Sequence, residues 1–265
     1  MKAYLAEQQD GESHSVVANP RYRPFIGISV SKRVLPLEQT VKILSWLLHS
    51  PSPVLPILIA DEIAVINYKA FKRYSGGSCV KKVQQDSDLQ ISHWQQAADC
   101  LPPEQSRRIR FVRWSEIVTD LYGRQVALVR SEFEQNPLLQ DTILALVTSF
   151  IRSTGKTVTT QRCWALAEYI IQELPSLLFG IEVDTIQYQL LVYPTHYPTE
   201  MYRLVIAIRR HPAFAEFFTQ LQNPPLENNK IIQLIITGQR FDKPSQPLVT
   251  PSHYDRAAHE LTITA

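Results

Sequence analysis

Two short apolar runs near the start of the chain limit its fold more than any other feature. PFIGISV at residues 24–30 is strand-like, and VLPILIA at residues 54–60 is continuously apolar. The second run has the composition of a strand that is buried on both faces of a parallel sheet. Between them, residues 37–50 carry apolar side chains at helical spacing, with Pro36 suited to a first helical turn. This order predicts a βαβ unit and a parallel sheet.

The same alternation of helix and strand continues along the chain. Asp61 is expected to be the N-cap of a helix that ends before Gly76, and Pro175 is expected to end a later helix. Further helices are predicted at 88–101, 115–135, 137–153, 161–174 and 199–223, and further strands at 107–114, 186–194 and 230–237. Strands separated by helices predict an α/β fold with a doubly wound, mostly parallel sheet.

Composition indicates one globular domain. The chain has 265 residues, of which 45% are hydrophobic and 20% charged, enough to build one core. We expect an irregular N-terminal arm at 1–23, the domain at 24–240 and a loosely ordered tail at 241–265. No apolar run approaches the roughly 18 residues of a membrane span, and the start of the chain does not resemble a signal peptide. We therefore expect a cytoplasmic protein without a membrane association.

Several common site motifs are missing from the sequence. It contains no GxGxxG after the first strand, no GxxxxGK[ST], no GxSxG and no HExxH. Its three cysteines are widely spaced without a CxxC, which predicts neither a disulfide framework nor a zinc site. We expect no metal, no nucleotide and no redox cofactor.

Ser29 is a candidate nucleophile, because it follows the first strand of the βαβ unit. Ligands of such sheets lie outside the carboxyl ends of the strands, where helix starts present N–H donors. Gly27 permits close approach of the backbone. The alternative is that Ser29 is an ordinary turn former.

Two further groups of residues carry possible chemistry. Tyr169 and Glu173 are four apart on one predicted helix, so both side chains lie on one face and could bind an ammonium or relay a proton. Tyr193 and Pro194 close a later strand. Without further context, Tyr169 and Glu173 would be interpreted as a surface pair, and Tyr193 with Pro194 as an ordinary strand terminus.

The net charge is only +2, so binding to nucleic acid would require local clustering of positive charge. One cluster is interleaved with aromatic residues and a second flanks the strand at 107–114. Either could be a solvated surface with no partner. The first cluster consists of Lys69, Lys72, Arg73, Lys81 and Lys82, and the second of Arg107, Arg108, Arg110 and Arg113.

Taken in order, these segments resemble the cyclodipeptide synthase family over about residues 24–240. The resemblance rests on GIS at 27–29, the helix TVKILSWLL, the strands VLPILIADEI and RIRFVRWSEI, Tyr169 with Glu173, and Tyr193. It implies a Rossmann-like domain similar to the catalytic domain of class I tyrosyl and tryptophanyl tRNA synthetases. It also implies that two aminoacyl-tRNAs are joined into a cyclic dipeptide, a 2,5-diketopiperazine, without ATP.

The resemblance assigns a role to each candidate. Ser29 would accept the first aminoacyl group as an ester, Tyr169 and Glu173 would hold its α-amino group, and Tyr193 would position the intermediate. The first cationic cluster would receive tRNA, with the arginines at 107–113 as the second choice. The aminoacyl pocket would include Phe25, Gly27, Pro56, Ser176 and Leu191.

Three signature positions read Lys32, Tyr193 and Pro194, which fits the subgroup with a variable residue and proline at the outer positions. The family resemblance favours a monomer. The alternatives are a catalytically silent tRNA-binding protein of the same fold and an ATP-using enzyme that resembles a synthetase.

Overall fold

The computed structural model describes residues 2–5, 17–30, 34–71, 77–195, 201, 204, 205, 208 and 230–235. The helices are α1 Leu37–Leu47, α2 Asp61–Ala70, α3 Gly77–Asp99, α4 Pro103–Ser106, α5 Trp114–Ile117, α6 Asp120–Gln135, α7 Pro137–Ser153 and α8 Thr160–Phe179. The strands are β1 Lys2–Leu5, β2 Pro24–Ile28, β3 Leu55–Ile59, β4 Ile109–Arg113, β5 Ile181–Val183, β6 Ile186–Tyr188, β7 Leu190–Thr195 and β8 Lys230–Ile235. Lys32, Lys72, Arg73 and the tail at 241–265 lie outside the described residues, as does most of the helix predicted at 199–223.

A six-stranded sheet forms the centre of the fold, with the strand order β1-β8-β7-β2-β3-β4. All neighbouring pairs from β8 to β4 are parallel, and only β1 is antiparallel to its partner. The chain fills the sheet from β2 towards β4, then returns to add β7 and β8 on the other side of β2. The predicted α/β, doubly wound, mostly parallel sheet is confirmed, and its topological switch point lies between β2 and β7.

Helices cover both faces of the sheet and enclose two cores. Phe25, Leu58 and Leu191 face the core beneath α6, α7 and α8. Ile26 and Ile57 face the core beneath α1 and α3. The parallel strands are short apolar runs because both of their faces are buried, as in other doubly wound sheets.

The predicted cap of α2 is wrong by one position. Ala60 is the N-cap, and Asp61 is the first residue of the helix, where its carboxylate is buried at 6% exposure. That carboxylate accepts hydrogen bonds from the Arg113 guanidinium at 2.8 Å and from the Trp114 main-chain N–H at 3.2 Å. Asp61 is therefore held by the end of β4, and this long-range contact overrides its preference for an N-cap position.

Pro175 does not end α8 as predicted. The helix continues to Phe179, because the residues after the proline are buried and the packing offsets the lost hydrogen bond. Its end is set by Gly180, which has a φ of +79°. A β-carbon at Gly180 would lie 2.0 Å from the main-chain oxygen of Tyr188, so only glycine fits there.

Three other expectations are corrected. The helix predicted from residue 88 begins at Gly77, because the polar segment after Gly77 packs against α2. The strand predicted at 186–194 is two strands, β6 and β7, and β6 forms a hairpin with the unpredicted β5. The arm expected at 1–23 is not irregular throughout, since residues 2–5 form β1 and pair with β8.

No helix in the part of the chain that the structure describes is long and apolar enough to cross a membrane.

Thr119, Asn136 and Thr159 cap α6, α7 and α8 through their side-chain oxygens. The three cysteines are free thiols.

Candidate active site

Ser29 and Tyr193 lie on either side of the topological switch point. Ser29 directly follows β2 and is half-buried, and Tyr193 lies near the end of β7, the parallel neighbour of β2. Ile28 and Val30 belong to the core beneath α1 and α3. The alternation of the strand therefore places Ser29 on the opposite face, beneath α6 to α8, about 7 Å beyond Gly27.

Gly27 has no side chain and so leaves space for the side chains of Leu191 and Tyr193. A β-carbon at residue 27 would lie 3.5 Å from Cδ2 of Tyr193 and 3.1 Å from Cδ1 of Leu191. The tyrosine ring therefore lies against the bare backbone of β2, two residues before Ser29. The contact with Leu191 is the tighter of the two, so a larger residue at position 27 would have to displace the Leu191 side chain.

Tyr169, Glu173 and Tyr193 form one polar cluster. Tyr169 is hydrogen-bonded to the Glu173 side chain one turn further along α8. Burial raises the pKa of Tyr169 well above its usual value, and the negative charge of Glu173 raises it further. Tyr169 is therefore a hydrogen-bond donor to the carboxylate at neutral pH, and the carboxylate is the group in the pair that can accept a proton.

Tyr122 is a site residue that the sequence analysis missed. Its hydroxyl donates a hydrogen bond to the main-chain oxygen of Gln172 at 2.8 Å and lies within hydrogen-bonding reach of Ser176. Burial raises its pKa strongly, and the negative charge of Glu173 adds to that rise. In the sequence, Tyr122 is one apolar position of the amphipathic helix α6, so no local pattern reveals its partners.

The Tyr122 hydroxyl braces the turn of α8 that carries Glu173 and Pro175. Proline lacks an N–H, so the carbonyl of Ile171, four residues earlier, loses its helical partner, and the Tyr122 hydroxyl contacts the next carbonyl, that of Gln172. The Ser176 hydroxyl donates to the main-chain oxygen of Glu173 at 2.8 Å, which adds a second contact in the same turn. The ring of Trp114 packs edge-on against Tyr122, with centroids 5.9 Å apart.

Four of the five residues predicted for the aminoacyl pocket come together on the sheet face beneath α8. Phe25 is paired in register with Leu191, and Ile26 with Ile57, so Pro56 lies beside Phe25. Ser176, the fifth, lies on α8 beside Tyr122. All five lie on the same side of the sheet as Tyr169.

Of the predicted tRNA-binding residues, Lys69, Lys81 and Lys82 are described by the structure, and they lie on a helical hairpin formed by α2 and the first half of α3. The two helices are antiparallel, since Asp61 and Asp88 share Arg113, and further along α2 the Val65 carbonyl accepts from the Cys79 thiol. Arg113, the last residue of β4, binds Asp61 at the start of α2 and Asp88 in the middle of α3. The hairpin therefore extends away from the carboxyl edge of the sheet over the length of α2, about 15 Å, with Phe71 and Gly77 at its outer end.

The lysines on the hairpin have different environments. Lys69 and Lys81 are exposed. Lys82 is half-buried and forms an ion pair with Asp86, which also accepts from Tyr68. The two exposed ammonium groups are thus better placed to meet a phosphate than Lys82.

Three of the four arginines at 107–113 already bind partners within the protein, which argues against a tRNA surface there. Arg108 donates to the carbonyls of Leu48, Ser50 and Ser52 at 2.8, 2.5 and 2.6 Å. Arg110 forms ion pairs with Glu116 and Asp184, and Arg113 with Asp61 and Asp88. The sequence could not show this, because every partner except Glu116 is distant along the chain.

The fold and the site together define a Rossmann-like α/β protein with a serine, a carboxylate and three tyrosines around its switch point. By sequence, the chain matches no family model and no curated protein. Within the described residues, no three His, Cys, Asp or Glu side chains are grouped so as to hold a metal ion.

Comparison of structures gives clear matches, among them several cyclodipeptide synthases. The synthase from Bacillus thermoamylovorans matches with a TM-score of 0.62 and 15% identity, covering 89% of this chain and 96% of its own. A Mycobacterium tuberculosis protein, whose structure demonstrates that cyclodipeptide synthetases are related to type I tRNA synthetases, matches with a TM-score of 0.62 and 14% identity. The match covers 87% of this chain and 90% of that protein. The synthase from Candidatus Glomeribacter gigasporarum, bound to Phe-tRNAPhe, matches with a TM-score of 0.53 and 15% identity. The match covers 89% of this chain and 97% of the synthase. The chain therefore has the fold of these enzymes.

Proposed function

We propose that this protein is a tRNA-dependent cyclodipeptide synthase, an aminoacyltransferase that makes a 2,5-diketopiperazine from two aminoacyl-tRNAs. One observation carries the proposal. Tyr193 lies near Tyr169 and Glu173, on the same face of β2 as Ser29. The likeness in fold to cyclodipeptide synthases, one of them bound to Phe-tRNA, supports it.

The proposed route is ping-pong. The Ser29 hydroxyl attacks the ester carbonyl of the first aminoacyl-tRNA, and the 3′ hydroxyl of the tRNA leaves with a proton. The amine of the bound aminoacyl group then attacks the second aminoacyl-tRNA and releases its tRNA. The new terminal amine attacks the ester carbonyl on Ser29, which closes the ring and frees the serine hydroxyl. Both substrates are already activated esters, so no ATP is needed.

The polar cluster supplies the proton chemistry. An α-ammonium must lose a proton before it attacks, and Glu173 is the acceptor. Tyr169 donates its hydrogen bond to that carboxylate and keeps it oriented. Tyr193 positions the intermediate. Tyr122 holds the turn that carries Glu173.

Substrate binding follows the same geometry. Phe25, Gly27, Pro56, Leu191 and Ser176 line the pocket for the first aminoacyl group, and the hairpin of α2 and α3 receives the tRNA through its cationic residues. We assign the catalytic domain to residues 24–240, with β1 as an additional strand at the margin of its sheet, and the chain to the subgroup defined by Lys32, Tyr193 and Pro194. The enzyme acts as a cytoplasmic monomer and requires no cofactor.

Two measurements test the reaction. Expression of the protein in a bacterium should release diketopiperazines into the medium, detected by mass spectrometry. Incubation with labelled aminoacyl-tRNA and a rapid acid quench should leave label on the intact protein. Ser29→Ala should lose both signals, and Ser31→Ala is the matched control that should keep them.

The outcomes separate the proposal from its alternatives. A folded protein that binds tRNA but never carries the label would instead be the silent binding protein. Amino-acid-dependent pyrophosphate exchange would show an ATP-using enzyme. Label that persists in Ser29→Ala would rule out Ser29 as the nucleophile.

A further inference from the structure

Two stretches of the sequence carry positive charge and no acidic residue. Residues 63–85 contain five lysines and arginines without an aspartate or glutamate, and residues 142–167 contain Arg152, Lys156 and Arg162, again without one. The net charge of the whole chain is only +2, so the rest of the chain is net acidic. Positive charge is therefore concentrated in two places far apart in sequence.

The fold joins these two stretches at the tip of the α2–α3 hairpin. The rings of Phe71, at the end of α2, and Phe150, near the end of α7, meet edge to face with centroids 5.9 Å apart. Arg162, in the first turn of α8, donates from Nε to the Ala70 carbonyl at 3.0 Å, and its guanidinium lies 5.9 Å from the centre of the Phe71 ring. The α7–α8 junction is thus fixed against the hairpin.

The joined surface exposes both aromatic and cationic groups. Phe150 remains 44% exposed despite its contact with Phe71. Arg152 and Lys156 on the α7–α8 junction are exposed, as is Lys69 on α2. A partly exposed ring among cations is the arrangement that binds unpaired nucleotides, since bases stack on the ring and phosphates meet the cations.

The junction lies on the outward path from the candidate active site. Arg162 precedes Tyr169 by seven residues and Glu173 by eleven on the same helix, which corresponds to about 10 and 16 Å along α8. The hairpin tip that it contacts projects beyond the carboxyl edge of the sheet, where Ser29 lies. An RNA strand whose last nucleotide ends at Ser29 would pass over this surface.

We propose that Phe150, Arg152 and Lys156 form a second part of the tRNA-binding surface, which holds the unpaired 3′ end of the aminoacyl-tRNA. Phe150 stacks on a base, and the two cations contact phosphates on either side. The proposal rests on the proposed function in one respect, namely that the ligand is tRNA. It adds a binding element on a segment of the chain separate from the hairpin.

The test measures the affinity of the full chain for a labelled bacterial tRNA pool, intact or with its 3′-terminal nucleotides removed. Phe150→Leu should weaken binding of intact tRNA about tenfold, and Phe150→Tyr should restore it, because tyrosine stacks and leucine does not. Neither variant should change the affinity for trimmed tRNA. Leu138→Ala, which removes a partly exposed apolar side chain at the other end of α7, is the control and should leave both affinities unchanged.

The charge contribution is measured by salt dependence. Lys156→Gln should reduce the slope of log Kd against log salt by about 0.7 to 0.9, the value for one lost phosphate contact. Arg107→Gln removes an exposed cation at the start of β4, on the opposite edge of the sheet, and should leave the slope unchanged. Lys156 is on an exposed loop, so this variant tests the surface without disturbing the core.

The results distinguish the two proposals. The proposed surface would be overturned if Phe150→Leu bound intact tRNA as tightly as wild type does, or if it lost the same affinity for trimmed tRNA. Either result would stand even if the enzyme makes diketopiperazines. The expected loss confined to intact tRNA, in a protein that makes no diketopiperazine, would support the surface and overturn the proposed chemistry.

Discussion

The hydroxyl of Tyr122 donates a hydrogen bond to the main-chain oxygen of Gln172, although the two residues lie 50 positions apart in the chain. This contact joins α6 to the turn of α8 that precedes Pro175. Glu173 is the next residue after Gln172, so its position depends on a side chain from another helix.

Tyr122→Phe should lower kcat while leaving tRNA affinity unchanged. The variant keeps the ring and removes the hydroxyl, so a main-chain oxygen of α8 loses a buried donor. We expect the free energy of unfolding to fall by about 1 to 2 kcal/mol. Urea denaturation and single-turnover kinetics measure the two effects. Tyr22→Phe, at a half-buried tyrosine before β2, is the control, and an equal loss of kcat there would contradict a specific role for Tyr122.

Stability should decline at alkaline pH through Tyr122 and Tyr169. Burial raises the pKa of both hydroxyls in the folded protein, and both stay protonated there. In the unfolded chain a tyrosine ionises near pH 10, so their contribution is complete below about pH 10 and is lost as the pH rises above it. Urea denaturation between pH 8 and 11 measures this decline. Tyr169→Phe should show a shallower decline, and curves that run parallel to wild type would refute the explanation.

Gly27→Ala should impair catalysis more than stability. The added methyl would lie 3.1 Å from Leu191 Cδ1, so the Leu191 side chain in the pocket must shift by a few tenths of an ångström, while the methyl only touches the Tyr193 ring at 3.5 Å. We expect a rate reduced by about 10-fold or more, because small displacements of positioning groups are costly. Overpacking should cost about 1 kcal/mol of stability.

Gly123→Ala is the matched control for that substitution. Gly123 lies inside α6, and a β-carbon there meets no atom within 4 Å. Alanine should therefore raise the free energy of unfolding by about 0.5 to 1 kcal/mol through helix propensity alone. Its rate should equal that of wild type.

Arg108→Met should destabilise the fold without affecting tRNA binding. The guanidinium satisfies carbonyls of three buried residues, and its loss should cost about 2 to 3 kcal/mol. Arg107→Met, one residue earlier and exposed, should change stability by less than about 0.5 kcal/mol. Thermal unfolding compares the two variants. A reduced salt slope of tRNA binding in Arg108→Met would show that this arginine does face the RNA.

The sequence was sufficient for the parallel sheet, because buried strands such as 55–59 are apolar throughout and amphipathic helices separate them. It was insufficient where a distant partner decides the outcome. Asp61 has the local chemistry of an N-cap, but Arg113 and Trp114 bind its carboxylate inside the helix. Pro175 has the local chemistry of a helix end, but buried neighbours carry α8 onward to Gly180.

The same distinction holds for the site. Ser29, Tyr169, Glu173 and Tyr193 were singled out because each stands at a strand end or on one helix face. Tyr122 has no such marker, since its role depends on a carbonyl of a helix that follows much later. The arginines at 107–113 show the converse case, in which a charged sequence pattern is mostly internal structure.

The pairing of β1 with β8 gives the N-terminal residues a protective role. β8 would otherwise lie at the margin of the sheet with its outer N–H and C=O groups open to another strand. A fragment trimmed to begin at Pro24 would keep the whole candidate active site and lose this cover. Such a fragment would be prone to strand-to-strand association between molecules. A fragment made for expression should therefore retain β1 and not begin at the start of β2.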